Sequence, residues 1–555
     1  MKRPARTARS EAAPRDWTRF TPKLLTVLRE GYPPARLRAD ALAGLTVAII
    51  ALPLAMALGI ASGASPDKGL VTAIVAGLLI SALGGSRVQI GGPTGAFVVV
   101  VFGVIANHGY DGLVLATLIA GLILIIAGYA GAGRLIRYIP HPVITGFTAG
   151  IAVIIATSQI KDFLGLDIAK LPAEFIPKWG AYIAALGTID RPTLVLSAAS
   201  LAAIVALRIW APRLPAFLIA VIAGSAAVWA FGVDVDTIGG RFPDMQLGLP
   251  APALPAFSLA KLQEVLPSAF TIAFLAGIEA LLSCVVADGM TGFRHRSGQE
   301  LVGQGVANMA SALFGGLPAT GALARTAANV KAGGRTPMAG IFHSLFLLLF
   351  VLFASRALEF VPMAVLAAVL LVVAWGMSEA RRFFLLMRMP IGERTVLLIT
   401  FALTIMVDLT VAIGVGVTLA SLMFIARMSE SGAVMPESEV EDAAQRENLP
   451  EGVEVFRING PFFFGVAGEL LDALKRIGRR PRAIILRMED VPFIDASGAV
   501  ALEEFLEQAE ADEVQVILCA PRPQLLALLK DVHGPGAVPH AADYPAALAL
   551  ATSAA

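Results

Sequence analysis

The chain has 555 residues, 57% of them apolar and 15% charged, with a mean hydropathy of +0.75. That balance excludes a soluble globular enzyme as the main reading, because many apolar stretches reach the roughly 20 residues that cross a bilayer as helix. The net charge of +1 says little because the charges are unevenly spread. Cys284 in an apolar stretch and Cys519 in a polar one predict no structural disulfide.

The first forty residues are polar and Arg-rich and lack an apolar core, so no cleavable signal peptide is expected. Hydropathy then predicts about fourteen membrane segments. They lie near 41–62, 68–84, 92–107, 111–130, 141–160, 192–210, 214–231, 263–285, 299–314, 319–332, 339–355, 360–376, 395–408 and 410–427. The third and tenth are too short to span alone. The apolar stretch 172–187 reads as an interfacial or re-entrant piece.

Basic residues cluster at the N-terminus (Lys2, Arg3, Arg6, Arg9, Arg15, Arg19, Lys23) and recur at alternate loops: Arg87, Arg134, Arg137, Arg208, Arg213, Arg294, Arg296, Arg335, Arg381, Arg382 and Arg388. The opposite loops hold Asp67, Asp111, Asp234, Asp236, Asp244 and Glu359. This positive-inside bias predicts that both termini are cytoplasmic. Seven segments per half would invert the second half relative to the first.

Two Gly/Pro breaks sit at corresponding positions. One runs from Gly84 to Ala96 (GGSRVQIGGPTGA) and the other from Gly315 to Ala322 (GGLPATGA). A helix that starts inside the membrane presents free N–H groups and a positive dipole end, which lipid excludes and an anion satisfies. Paired half-helices are the strongest sequence pointer to a transporter's binding site. The expected substrate-binding residues are therefore Pro93, Thr94, Gly95 and Ala96 together with Thr320, Gly321 and Ala322. Plain helix capping inside a packed bundle is the alternative.

Arg325, one turn after the second break, lies in an apolar context and suits oxyanions. It could instead snorkel toward the cytoplasm beside Lys331. Glu279 is the only acid in 270–287. Burial favours its neutral form and a nearby cation its charged form, so it could carry a proton or serve as a static partner of Arg325. Glu300, Gln304 and Asn308 form one polar helix stripe, read as interhelical hydrogen bonding. His141 and His343 read as structural, because no cluster has metal spacing. No metal or other cofactor is expected. No Walker-type loop is present, which argues against an ATP-driven pump.

Residues 428–450 are polar and acidic and read as a linker. Beyond them, strands at 453–458, 483–487 and 514–519 alternate with helices at 468–477 and 498–509, which predicts a small α/β domain at 451–555.

These stretches resemble the SulP family, the sulfate permease and solute carrier 26 anion transporters. The resemblance rests on Leu45–Ala57, Gly91–Ala96, Val285–Gly292, Gly303–Asn308 and Gly315–Pro337. Within the family, 147–165 and 374–380 look like bacterial C4-dicarboxylate carriers of the DauA type, although the loop 232–260 is shorter than expected for those. The resemblance implies a core (41–130 and 263–355) moving against a gate (134–231 and 360–427), with the anion held between the third and tenth half-helices. It places Glu279 at the position linked to cation coupling, with Ser283 one turn later, and tilts the coupling ion toward protons rather than sodium. It implies a C-terminal STAS domain in which Ser497 could be phosphorylated or simply cap its helix.

The expected protein is thus a secondary active carrier of sulfate, a C4-dicarboxylate such as succinate, or bicarbonate, and not an enzyme. It is expected as a homodimer in a bacterial-type inner membrane. Lipid surrounds it, a cytoplasmic partner could meet the STAS domain, and no nucleic acid is involved. An uncoupled exchanger or channel, and sodium-coupled bicarbonate uptake, stay open.

Overall fold

The computed structural model describes residues 20–553 apart from 135–139, 170, 173, 213, 244, 246–247, 256–257, 408, 432, 437–449, 451, 464–480, 524 and 527–537. The chain divides into two compact units, Met1–Val417 and Thr418–Ala555.

The first unit is helical. Its first half runs α1 (Lys23–Glu30), α2 (Pro34–Ala61), α3 (Pro66–Leu83), β1 (Gly91–Gly92) and α4 (Gly95–Tyr129). Next come α5 (His141–Ser158), α6 (Ile160–Leu164), α7 (Phe175–Ala185), α8 (Arg191–Trp210), α9 (Ala216–Phe231) and α10 (Ile238–Arg241). The second half repeats the order of two helices, a short strand and a helix: α11 (Leu259–Thr291), α12 (Ser297–Leu313), β2 (Thr320–Gly321) and α13 (Leu323–Lys331). It continues with α14 (Met338–Glu359), α15 (Met363–Met377), α16 (Ala380–Leu386) and α17 (Ile391–Met406), and α18 (Leu409–Ser431) crosses into the second unit.

Each of the fourteen expected segments coincides with helix. The third and fourth are joined in α4, which breaks at Gly109 with φ of 71°, a conformation that favours glycine. Among the described residues, eight helices are long and apolar enough to cross a membrane, and α9 and the Met338–Ala354 part of α14 are shorter apolar helices.

Proline sets several helix starts, at the first turns of α2, α3, α5 and α8, where a missing N–H costs nothing. Packing sorts the helices into two groups. In one, α4 lies on α11 and α12, while α2 and α3 lie on α14. In the other, α5 lies on α15 and α17, and α8 on α9 and α15. Glycine allows the tightest crossing: a Cβ on Gly121 of α4 would stand 2.6 Å from the Gly305 carbonyl of α12.

The second unit holds a five-stranded sheet in the order β3 (Ala433–Pro436), β4 (Val453–Asn459), β5 (Ala483–Arg487), β6 (Gln515–Cys519) and β7 (His540–Ala541). β3 pairs antiparallel with β4, and the remaining pairs are parallel. Helices α19 (Ala496–Ala511) and α20 (Tyr544–Ser553) contribute to separate apolar clusters with the sheet residues. The sheet's apolar runs, such as Ala483–Leu486, fit strands buried on both faces.

One expectation needs correction. The stretch 428–450 is not all linker: its first residues finish α18, Met428 packs on the apolar cluster of the sheet, and 433–436 form the edge strand. Residues 437–449 lie outside the described residues, as do the expected helix at 468–477, Arg137, Arg213, Asp244 and the basic residues before Phe20.

Candidate functional site between two half-helices

Broken backbone inside a membrane protein must find hydrogen-bond partners from other elements. The two breaks find them in each other. Gly91 pairs with Gly321 and Gly92 with Thr320 in a two-residue antiparallel ladder, and the Ala322 N–H donates to the Ile90 carbonyl at 2.8 Å. The approach requires glycine. A Cβ on Gly92 (φ of 151°) would strike the Arg325 guanidinium, and one on Gly321 would strike the Gln89 side chain.

Side chains from α12 and α13 complete the frame. Glu300 accepts from the N–H groups of Gly85 at 2.8 Å and Ser86 at 3.1 Å. Asn308 holds Ala319 by both its N–H and its carbonyl, each at 2.8 Å. Thr326 accepts from the Ile90 N–H at 3.1 Å, and Asn329 donates to the Val88 carbonyl at 2.8 Å. The stripe Glu300–Gln304–Asn308 therefore serves the breaks, with Gln304 donating to Glu300 at 2.8 Å.

The ladder brings together the starts of α4 and α13. The first-turn N–H groups of each lack intrahelical acceptors by helix geometry. Neither Thr94 nor Ala322, the residues at the two caps, makes a side-chain cap. The Thr94 hydroxyl instead donates to Glu279 Oε2 at 2.8 Å. The Thr320 hydroxyl donates to the Ala276 carbonyl at 2.8 Å. Pro93, Gly95, Ala96, Gly321 and Ala322 thus gather around one crossing point, with the half-buried Glu279 of α11 beside it.

Arg325 is 2% exposed and does not snorkel. Its Nη2 donates to the Pro93 carbonyl at 2.8 Å, while Nε and Nη1 have no hydrogen-bond partner. Among the described residues it forms no ion pair with Glu279. The Ser283 hydroxyl donates to the Thr326 hydroxyl at 3.3 Å. His343 is fully buried and neither ring nitrogen has a partner. Among the described residues no three His, Cys, Asp or Glu side chains gather to hold a metal.

Sequence reading missed three contributors. Gln89, inside the first break, donates to the Ala280 carbonyl at 2.9 Å and accepts from the Cys284 thiol at 3.3 Å. A lone amide inside an apolar break was the available signal. Met377 of α15 and Ile155 of α5 close on Gly95 from the other helix group. A Cβ there would lie 3.1 Å from Met377 Cε and 3.2 Å from Ile155 Cδ1. Their sequence contexts are ordinary apolar helix.

In the second unit, Asp495 caps α19, accepting from the Gly498 N–H at 2.7 Å. Ser497 is exposed in the first turn and does not cap, which corrects the capping alternative for that residue.

Comparison with known proteins agrees with this architecture. Residues 37–400 match the Sulfate permease family and residues 448–533 the STAS domain. The chain is 37% identical over 502 residues to the putative sulfate transporter YvdB of Bacillus subtilis, covering 90% of this chain and 94% of that one. It is 34% identical over 508 residues to the bicarbonate transporter BicA of Synechocystis, covering 85% and 86%. The solved transmembrane domain of a cyanobacterial BicA matches with a TM-score of 0.64 at 32% identity, covering 69% of this chain and 99% of that one. SLC26A9 shares the fold, with a TM-score of 0.83 at 18% identity over 96% of this chain and 92% of that one. The chain belongs to the sulfate permease family: it is a multi-pass membrane protein of the sulfate and bicarbonate transporter family that carries a C-terminal STAS domain.

Proposed function

We propose that this protein is a proton-coupled symporter of a small oxyanion, working by alternating access. The anion sits at the paired N-termini of α4 and α13, within the field of Arg325. The observation that carries this reading is the hydrogen bond from Thr94, at the cap of α4, to the carboxyl of Glu279. It supports a group able to change charge lying close to the place where an anion would sit.

A charged Glu279 repels an arriving anion. At a separation on the order of 6 Å and an effective dielectric of about 20, that repulsion is roughly 3 kcal/mol, or about two decades of affinity. Protonation removes it. By linkage, the anion then raises the affinity of Glu279 for a proton by the same factor. Arg325, fixed on the Pro93 carbonyl, supplies positive charge that does not change with the cycle. Sodium would need several oxygen ligands around Glu279, and the turning of Ser283 toward Thr326 supports the proton instead. The helix group containing α2–α4 and α11–α14 serves as the core, and that containing α5, α8, α9, α15 and α17 as the gate.

Sulfate is the first candidate substrate, from the similarity to YvdB. Bicarbonate is the second, from the similarity to BicA over most of both chains. Succinate is the third, from the sequence resemblance to dicarboxylate carriers. The protein belongs in a bacterial inner membrane with both termini cytoplasmic, and it works as a dimer.

The test is uptake of labelled sulfate, bicarbonate and succinate into proteoliposomes with imposed proton or sodium gradients. Glu279→Gln mimics the protonated form. It should keep anion exchange and lose accumulation driven by a proton gradient. A Glu279→Gln variant that concentrates anion as well as the parent would remove Glu279 from the coupling role.

A further inference from the structure

Helix α7 is inside out for an element next to water. Its exposed large apolar residues are Ile176 (69%), Trp179 (42%) and Ile183 (65%), whereas Lys178, Tyr182 and Ala185 are buried. The buried three follow helical spacing, so the lysine is turned into the protein deliberately by the phase of the helix. Lys178 is only 5% exposed. Lysine is almost never so buried without an acid beside it. Among the described residues, no carboxylate and no hydrogen-bond acceptor partners its ammonium.

What the ammonium meets is the ring of Phe102, 5.7 Å from Nζ to the centroid. A cation over a ring face is weakly held compared with an ion pair. Phe102 belongs to α4, seven residues after Gly95, and so lies on the same helix face about 10 Å farther along the axis. The contact therefore joins the gate-side segment α7 to the half-helix whose start forms the candidate site, two turns away from that start. The Tyr182 hydroxyl anchors α7 by donating to the Thr157 carbonyl of α5 at 2.9 Å.

We propose that Lys178 is a second, transient anion-binding site, lying on the route between the central site and the membrane face toward which α4 runs. The anion replaces the Phe102 ring as the partner of the ammonium. Breaking the Lys178–Phe102 contact at the same moment loosens α7 from α4, so arrival of substrate and release of that side of the cleft are one event. This inference rests on the anion-transport reading of the central site, but makes a one-sided demand that the central site does not.

The experiment compares right-side-out and inverted membrane vesicles carrying the full chain, using whichever of labelled sulfate, bicarbonate or succinate the parent transports. Lys178→Met should raise KM about ten-fold on one face only, the face toward which α4 runs, through loss of local anion enrichment. Lys178→Arg should restore it. Equal KM on that face for parent and Lys178→Met, or an equal rise on both faces, overturns the proposal while leaving the central site intact. A transport-free readout separates the two readings. In a variant keeping Trp179 as its sole tryptophan, sulfate should change the emission, and adding Lys178→Met should abolish that change. Emission that responds to sulfate equally with and without Lys178 also overturns it. A parent that carries none of the three anions while the Lys178-dependent emission change persists counts against the central-site reading and supports this one.

Discussion

The two breaks in the membrane unit look alike in sequence and do different work in the structure. The first starts a long helix, α4, whose threonine hydroxyl bonds the carboxyl of Glu279 and whose Gly95 faces Met377 and Ile155 of the other helix group. The second starts a helix of nine residues, α13, whose threonine hydroxyl bonds a backbone carbonyl and whose arginine is fixed on the first break. On the proposed mechanism, the first break would touch the groups that change charge or position. The second touches fixed backbone and carries a fixed charge. A symmetric ladder thus has asymmetric surroundings, and on the proposed mechanism these would divide anchoring from coupling between two copies of one motif.

Valine scanning at the two glycines should break or sharpen this contrast most strongly. Gly321→Val meets Gln89, which is itself tied to α11, so membrane expression and thermal stability should fall, by several kcal/mol on the scale of about 1–3 for an overpacked site plus a lost buried hydrogen bond. Gly95→Val meets only the flexible end of Met377 and a methyl of Ile155. It should leave the protein folded but stop transport, and Met377→Ala should restore part of the activity. Fluorescence-detected size-exclusion chromatography separates the two outcomes. Equal loss of folded protein in both variants would erase the distinction.

A smaller effect is expected at the threonines. Thr94→Val removes the donor to Glu279 and should shift the pH dependence of uptake. Thr320→Val should leave the pH profile in place and cost about 1 kcal/mol of stability, the typical worth of such a bond. Uptake measured across pH 5–9 is the check, and a shifted profile in Thr320→Val alone would reverse the assignment.

The smallest effect belongs to the second unit, where no coupling is expected. Burial and the neighbouring Glu489 carboxyl push the Cys519 thiol up to about 11. Alkylation needs the thiolate, so Cys519 should resist iodoacetamide at pH 8 in the folded protein and react on unfolding. Mass spectrometry reads the modification. Rapid labelling of the native protein would show that this strand is open.

The sequence displays what is local and hides what is paired. Most of the membrane helices are long apolar runs, and each break is a cluster of glycine and proline, so both are legible from composition within a short window. Thr94 and Glu279 are 185 residues apart, and nothing in either stretch marks the other as its partner. The partner of Ser283 depends on how α11 rotates against α13, which hydropathy does not encode for α11, a helix apolar nearly all round. Lys178 was hidden by its setting in a stretch too short to show which face would be buried. The edge strand Ala433–Pro436 was hidden because four residues beside an acidic run carry almost no alternation.

The frame around the breaks also has a consequence for biosynthesis. The N–H groups of Gly85, Ser86 and Ile90 and the carbonyl of Val88 are satisfied by Glu300, Thr326 and Asn329, side chains 214 to 241 residues later in the chain. While the ribosome is still making the second half, the first break has none of these partners. The hydrocarbon interior does not supply substitutes. The nascent first half therefore has to keep residues 85–94 in contact with water, or with the insertion machinery, until α12 and α13 arrive. Because the long-range contacts come last, the crossing of the two breaks is the final part of the membrane unit to be assembled.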